Sequence, residues 1–109
     1  MIRVSFRYDE NDIPTGFMCV GHAGFAKMGK DIVCAAVSAL TLNFVNSVEA
    51  LTEDRFTLDT NEKKGYMRFT FEESPSQASK ILLRSLELGL KCIIEDNNSK
   101  CITLTEWEV

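Results

Sequence analysis

FMCVGHAGFAKMGKDIVCAAVSALTLNF, residues 17–44, contains the change of hydrophobic period on which the fold turns. Phe17 to His22 reads as an apolar extended run, entered from a polar turn at Asp9-Glu10-Asn11-Asp12 and Pro14. From Asp31 onward the spacing is different: Val33, Val37, Leu40, Phe44, Val48 and Leu51 recur at steps of three and four and form one stripe of a long helix. Asp31 stands where a helix cap is wanted, its carboxylate able to accept the amide of Cys34 three positions on. Cys34 is thereby expected in the first helical turn. The eight residues Ala23 to Lys30 separate the two patterns, enough to fold the chain back and bring the only histidine, His22, beside Cys34.

Working outward, Ile2, Val4, Phe6 and Tyr8 alternate with Arg3, Ser5 and Arg7, the period-two signature of a half-buried strand. With the run that ends at His22 it predicts an antiparallel hairpin. The pattern returns after the helix. Phe56-Thr57-Leu58 and Tyr66 to Phe71 flank a turn at Asn61-Glu62-Lys63-Lys64-Gly65, a second hairpin. Ser74-Pro75-Ser76-Gln77 then reads as an N-cap, a proline at the first helical position and a capping-box glutamine. In the helix that follows, Ala78, Ile81, Leu82, Leu86, Leu88 and Ile93 share a broad apolar arc, with Lys80, Arg84, Glu87 and Lys91 opposite and Gly89 placed to permit close packing. After a turn at Asp96-Asn97-Asn98, Cys101 to Thr105 reads as a last strand. The order ββαββαβ predicts an α+β fold, a mainly antiparallel sheet with two helices packed on one face.

The 109 residues fit a single domain over 1–109, and 45% hydrophobic content supplies a core without staples. No apolar run approaches the roughly 18 residues of a bilayer span, so no membrane partner is expected. The strand-like start at Met1 lacks the basic and apolar regions of a signal peptide, which predicts a cytoplasmic protein. Cysteines at 19, 34, 92 and 101 show no short CxxC spacing, and a reducing compartment keeps them as thiols. A zinc site would need these scattered cysteines to converge on the one histidine, so neither metal nor other cofactor is expected. A net charge of −4 disfavours nonspecific nucleic-acid binding, which needs a basic face, and suits a basic polypeptide partner.

Gly24-Phe25-Ala26-Lys27-Met28-Gly29-Lys30 matches the GxxxxGK part of a phosphate-binding loop and leads into a helix. Asp31 follows instead of Ser or Thr, so the magnesium-binding hydroxyl is missing and a carboxylate stands where phosphate would sit. The preceding strand also belongs to a hairpin rather than a parallel βαβ unit. Cys34 has two readings: a small buried hydrophobe, or a nucleophile whose base is His22. The partial positive charge and unpaired amides of a helix start suit the second. Cys19, Cys92 and Cys101 sit in apolar runs and read as core or near-core. His22 has its own bland reading, a strand-end side chain bonded to a loop carbonyl. Ser38, four residues after Cys34, either orients substrate or bonds back to the helix. Asp31 is a cap first, and spacing leaves open whether it also orients His22. Leu42 and Val45 project away from the helix stripe, toward either a covering loop or helix or a second subunit.

The motif of Gly21-His22-Ala23, then Gly29, Asp31-Ile32-Val33-Cys34-Ala35-Ala36 and Ser38, closely resembles the signature of the ribosomal-processing cysteine protease family, often called Prp. Length and element order extend the likeness over the whole chain. The resemblance implies a His22–Cys34 catalytic dyad; Gly21, Asp31 and Ser38 are further candidates for supporting or substrate-binding roles. It implies as substrate the N-terminal extension of bacterial large-subunit ribosomal protein twenty-seven, cut after an aromatic-rich segment, and it implies a homodimer. Gly24 and Gly29 frame Phe25 to Met28 as a segment able to act as a lid. Two other classes compete: a noncatalytic ribosome-assembly adaptor using the same cleft, and a thiol redox sensor that would need folding to bring a second cysteine, such as Cys19, to Cys34.

Overall fold

The computed structural model describes residues 2–21, 30–61, 63, 65–96 and 102–108. Its elements run β1 (Ile2–Tyr8), β2 (Pro14–Val20), α1 (Lys30–Leu51), β3 (Phe56–Asn61), β4 (Tyr66–Phe71), α2 (Gln77–Asp96) and β5 (Ile102–Glu108), the expected ββαββαβ order. The five strands form one sheet ordered β3-β4-β2-β1-β5. Every neighbouring pair is antiparallel except β1 and β5, which run parallel with Ile2 opposite Ile102.

The β1–β2 turn is organised by Asp9. Its carboxylate accepts the amides of Asn11 at 2.8 Å and Ile13 at 3.0 Å, and Asp12 takes the left-handed conformation that short acidic residues tolerate. Pro14 opens β2, where its missing N–H costs least. That strand therefore begins three residues earlier than the apolar run from Phe17 indicates.

Direct cross-strand partners share a face, so register fixes the core side of the sheet. Phe6, Phe17, Phe69 and Leu58 form one row across four strands; Val4, Cys19, Met67 and Thr60 form the next. Phe44 of α1 drops into the aromatic row, edge-on to Phe17 at 5.6 Å and to Phe69 at 4.8 Å between ring centroids. Val33, Val37 and Val48 are buried on the same stripe of α1, with Leu40 partly covered. Leu51 is not: the stripe outlasts the surface it packs on, and this residue is exposed. Val45, expected to project away, is buried in the core instead, because the covered arc of α1 extends round its Cys34 flank. The segment Val33–Leu51 is long and apolar enough by composition to cross a bilayer, contrary to the expectation that none would be. Its apolar stripe is spent on the sheet, and Asn43, Asn46 and Glu49 face outward.

Two readings of α2 are corrected. Its cap is Ser76, not Ser74. The Ser76 hydroxyl accepts the amide of Ser79 at 3.3 Å, and the Ser76 carbonyl accepts that of Lys80 at 3.0 Å, so Pro75 precedes the helix and Gln77 opens it. The buried stripe is Ser79, Leu83, Leu86 and Leu90, while Ile81 and Leu88 stand exposed on the far side with Cys92. Apolar residues occur on both sides of this helix. Its rotation is set by Ser79, whose buried hydroxyl donates to the Asp54 carboxylate, and by Glu87, which accepts from the Tyr8 hydroxyl at 2.8 Å. The helices meet where Gly89 faces Leu40: a Cβ on residue 89 would lie 3.0 Å from the Leu40 Cδ1.

Candidate functional site

At the end of the sheet where α1 begins, the C-terminal ends of β2 and β3 and the N-terminal ends of β1 and β4 converge on one flank of the helix. A cleft of about 420 Å³ lies there. Cys34, Ser38, Thr41 and Leu42 line it from the helix, and Ile2, Cys19, Gly21, Thr60 and Met67 are among the residues lining it from the strands. Cys34 is half-buried, open to the cleft on one side and packed against the core on the other. Helical Cβ atoms tilt toward the N-terminus, which leans the Cys34 side chain back over the first turn. There the amides of Lys30, Asp31 and Ile32 have no partner within the helix.

The opposite rim is shaped by two glycines. Gly21 has φ of 98° and Gly65 φ of 60°, both in the left-handed region that side chains disfavour, and the Gly21 amide donates to the Gly65 carbonyl at 2.9 Å. That bond ties the end of β2 to the β3–β4 turn and fixes the direction in which the chain leaves the sheet toward residue 22. His22 itself lies outside the described residues, as do Gly24, Phe25, Met28 and Gly29 of the proposed lid and Cys101.

Helix α1 begins at Lys30, so Asp31 is inside its first turn and not the cap. Cys34 is accordingly the fifth helical residue, not in the first turn. Ser38 is exposed at the cleft, and among the described residues its hydroxyl makes no bond back to a helix carbonyl; Thr41 does that, donating to the Val37 carbonyl at 3.0 Å. Cys92, read as near-core, is exposed on the outer side of α2.

Cys19, read as core or near-core and as a cysteine that folding could bring to Cys34, packs part-buried against the core and lines the cleft with Cys34, a proximity that spacing alone left open. Alternation put it on the same face as Phe17 and so toward the helices; only the crossing of α1 over β2 brings it into the cleft with Cys34. Burial, and secondarily the charge of Cys34, push its thiol up to about 11. No three His, Cys, Asp or Glu side chains among the described residues gather to hold a metal ion. The phosphate-loop reading fails on context, since β2 is antiparallel to both its neighbours.

A half-buried thiol just past the first turn of a helix, in an open and largely apolar cleft, has the elements of a thiol hydrolase site. A family model described as cysteine protease Prp matches residues 1–103. A Bacillus subtilis (strain 168) protein named ribosomal processing cysteine protease Prp is 34% identical over 100 residues, covering 88% of this chain and 89% of that protein. One of the same name from Staphylococcus aureus (strain Mu50) is 26% identical over 98 residues, 90% of this chain and 92% of that one. Among solved structures, an essential ribosomal processing protease Prp from S. aureus, in complex with a covalently linked product peptide, matches with a TM-score of 0.88 at 26% identity. That match covers 98% of this chain and 100% of the other. A Streptococcus mutans crystal structure matches with a TM-score of 0.87 at 29% identity, over 100% of this chain and 96% of its own.

Proposed function

The chain belongs to the Prp family of cysteine proteases, and from that premise we propose that it removes the N-terminal extension of large-subunit ribosomal protein twenty-seven, using a dyad of Cys34 and His22. The observation that carries this reading is the half-buried Cys34 opening onto a cleft whose opposite rim is Gly21, the residue that precedes His22.

In the proposed reaction the Cys34 thiolate attacks the scissile carbonyl, and the C–N bond breaks as the protonated His22 gives its proton to the departing amine. Water then attacks the thioester, with His22 as base, and frees the new carboxylate. The first-turn amides of α1, which have no partner within the helix, are the candidate donors to the oxyanion, and Asp31, Ser38 and Gly21 are proposed to support the site. The segment containing Gly24, Phe25, Met28 and Gly29 is proposed to cover the bound peptide. Catalysis by a free thiol suits the cytoplasm, which is part of the proposal. So is a homodimer: Val45 is buried and Leu42 lines the cleft, so the apolar face offered to a second subunit is that of the exposed Ile81 and Leu88 of α2.

The redox alternative gains proximity from Cys19 but loses chemistry, because a thiol held at about 11 is a poor resolving nucleophile at neutral pH. The adaptor alternative is separated by experiment. Peptides spanning the extension are incubated with the protein and analysed by mass spectrometry. Two fragments are expected; peptide that is bound and recovered intact would favour the adaptor.

A further inference from the structure

Taking the peptide-cleaving reading as its basis, we infer that Leu42 reads an apolar side chain of the substrate three or four residues from the scissile bond. Cys34, Ser38, Thr41 and Leu42 lie along one flank of α1, and all four line the same cleft. Leu42 stands eight residues beyond the nucleophile, about 12 Å along the axis at 1.5 Å per helical residue. An extended peptide advances about 3.3 Å per residue, so a chain held against this flank with its carbonyl at Cys34 passes Leu42 between its third and fourth residue.

The chemistry of that end of the cleft selects the side chain. Leu42 is 50% exposed, an apolar surface inside the concavity rather than on the outer side of the helix. Its neighbour Thr41 has its hydroxyl taken up by the carbonyls of Val37 at 3.0 Å and Ser38 at 3.2 Å, leaving no donor for a polar group there. Val37 behind it and Met67 from β4 add apolar lining, and a methionine adapts to aliphatic or aromatic partners alike. A lysine or glutamate of the peptide placed against Leu42 would give up hydration over an apolar surface that an aliphatic or aromatic side chain covers favourably. The occupant is therefore an extended peptide with an apolar residue at that position, continuous with the segment whose carbonyl is attacked.

The test is a charge swap. Leu42→Glu and Leu42→Ala are assayed against a parent peptide spanning the extension and against a set in which each position in turn is lysine. Leu42→Glu is expected to cut the parent about tenfold or more slowly in kcat/KM, with Leu42→Ala intermediate. Lysine should restore Leu42→Glu selectively when placed three or four residues from the cut, on one side of it, and at no other position. Because Leu42 is half-exposed, both variants should keep the wild-type Tm and the wild-type rate of Cys34 alkylation by iodoacetamide, which reads the site without any peptide. Wild-type cleavage together with an unaltered parent rate and no position-specific rescue in Leu42→Glu would overturn the inference and leave the protease reading intact. A wild-type protein that cuts none of the peptides would instead remove that reading, and this inference with it. Lost self-association in sedimentation with unchanged peptide selectivity would assign Leu42 to a contact with a second copy and likewise overturn it.

Discussion

Burial and the neighbouring charge of Cys34 hold the Cys19 thiol at about 11, so at neutral pH it stays protonated although it shares the cleft with Cys34. Iodoacetamide at pH 7.5 should therefore label Cys34 and the exposed Cys92 well before Cys19, and Cys19→Ala should keep its cleavage activity; peptide mapping of the labelled sites together with an activity assay checks both. Gly21 carries a second prediction at this scale. With φ of 98° and its amide bonded to the Gly65 carbonyl, it cannot accept a Cβ without strain of about 1–2 kcal/mol. Gly21→Ala should lower the Tm and also reduce kcat, since the strain falls on the peptide unit leading to residue 22. The proposed pairing of His22 with Cys34 was legible because the one histidine and a thiol near the beginning of a helical pattern stand within a short span of sequence. The place of Cys19 was not: its contact with the cleft depends on how a helix crosses a strand, which no local spacing encodes.

At the scale of elements, the N-terminus of α2 rests on one carboxylate. Asp54 accepts the Ser76 amide at 3.1 Å, the Ser76 hydroxyl at 2.5 Å and the hydroxyl of the fully buried Ser79. The Ser76 hydroxyl, then that of Ser79, draws its pKa below 3.8, against a smaller opposing effect of burial. A carboxylate whose folded pKa lies below its unfolded value of about 3.9 contributes stability that is complete well above that value and lost as pH falls through the folded pKa. Asp54→Ala should cost about 1–3 kcal/mol near pH 7, chiefly through the orphaned Ser79 hydroxyl. Part of that deficit against wild type should disappear below about pH 4, as urea unfolding at pH 7 and pH 3 would register. The strands and both helices were readable from period alone, and β4 was placed to the residue. The rotation of α2 was misread, since a serine in the core carries no apolar signal and its partner Asp54 lies 25 positions away. Apolar residues at Ile81 and Leu88 therefore drew the arc to the wrong side.

For the whole molecule, layers were legible and neighbours were not. Hairpins follow from short turns, but the pairing of β1 with β5 joins the two ends of the described chain, and the order β3-β4-β2-β1-β5 follows only once β2 is seen to hold β1 on one side and β4 on the other. The resulting protein has a net charge of −4 and an apolar cleft, which divides the expected sources of recognition. Exposed charge pairs contribute about 0–1 kcal/mol each and are screened by salt, whereas burying an aromatic side chain contributes about 1.5–3 kcal/mol. Replacing the substrate's aromatic residues by alanine should thus lower kcat/KM far more than replacing its lysines, and added salt should erase mainly the lysine effect. Matched peptides assayed at two salt concentrations give the ranking, and the reverse order would reject this division.

The most direct test compares kcat/KM for wild type, Cys34→Ala and His22→Ala on one peptide spanning the N-terminal extension of ribosomal protein twenty-seven, with folding verified by near-UV circular dichroism. Wild type should cut the peptide once, both variants should leave it intact, and Cys34→Ala should still bind it because only the sulfur has been removed from a good helix-forming position. Cleavage by Cys34→Ala at a rate near that of wild type would contradict the assignment of the nucleophile and the mechanism built on it.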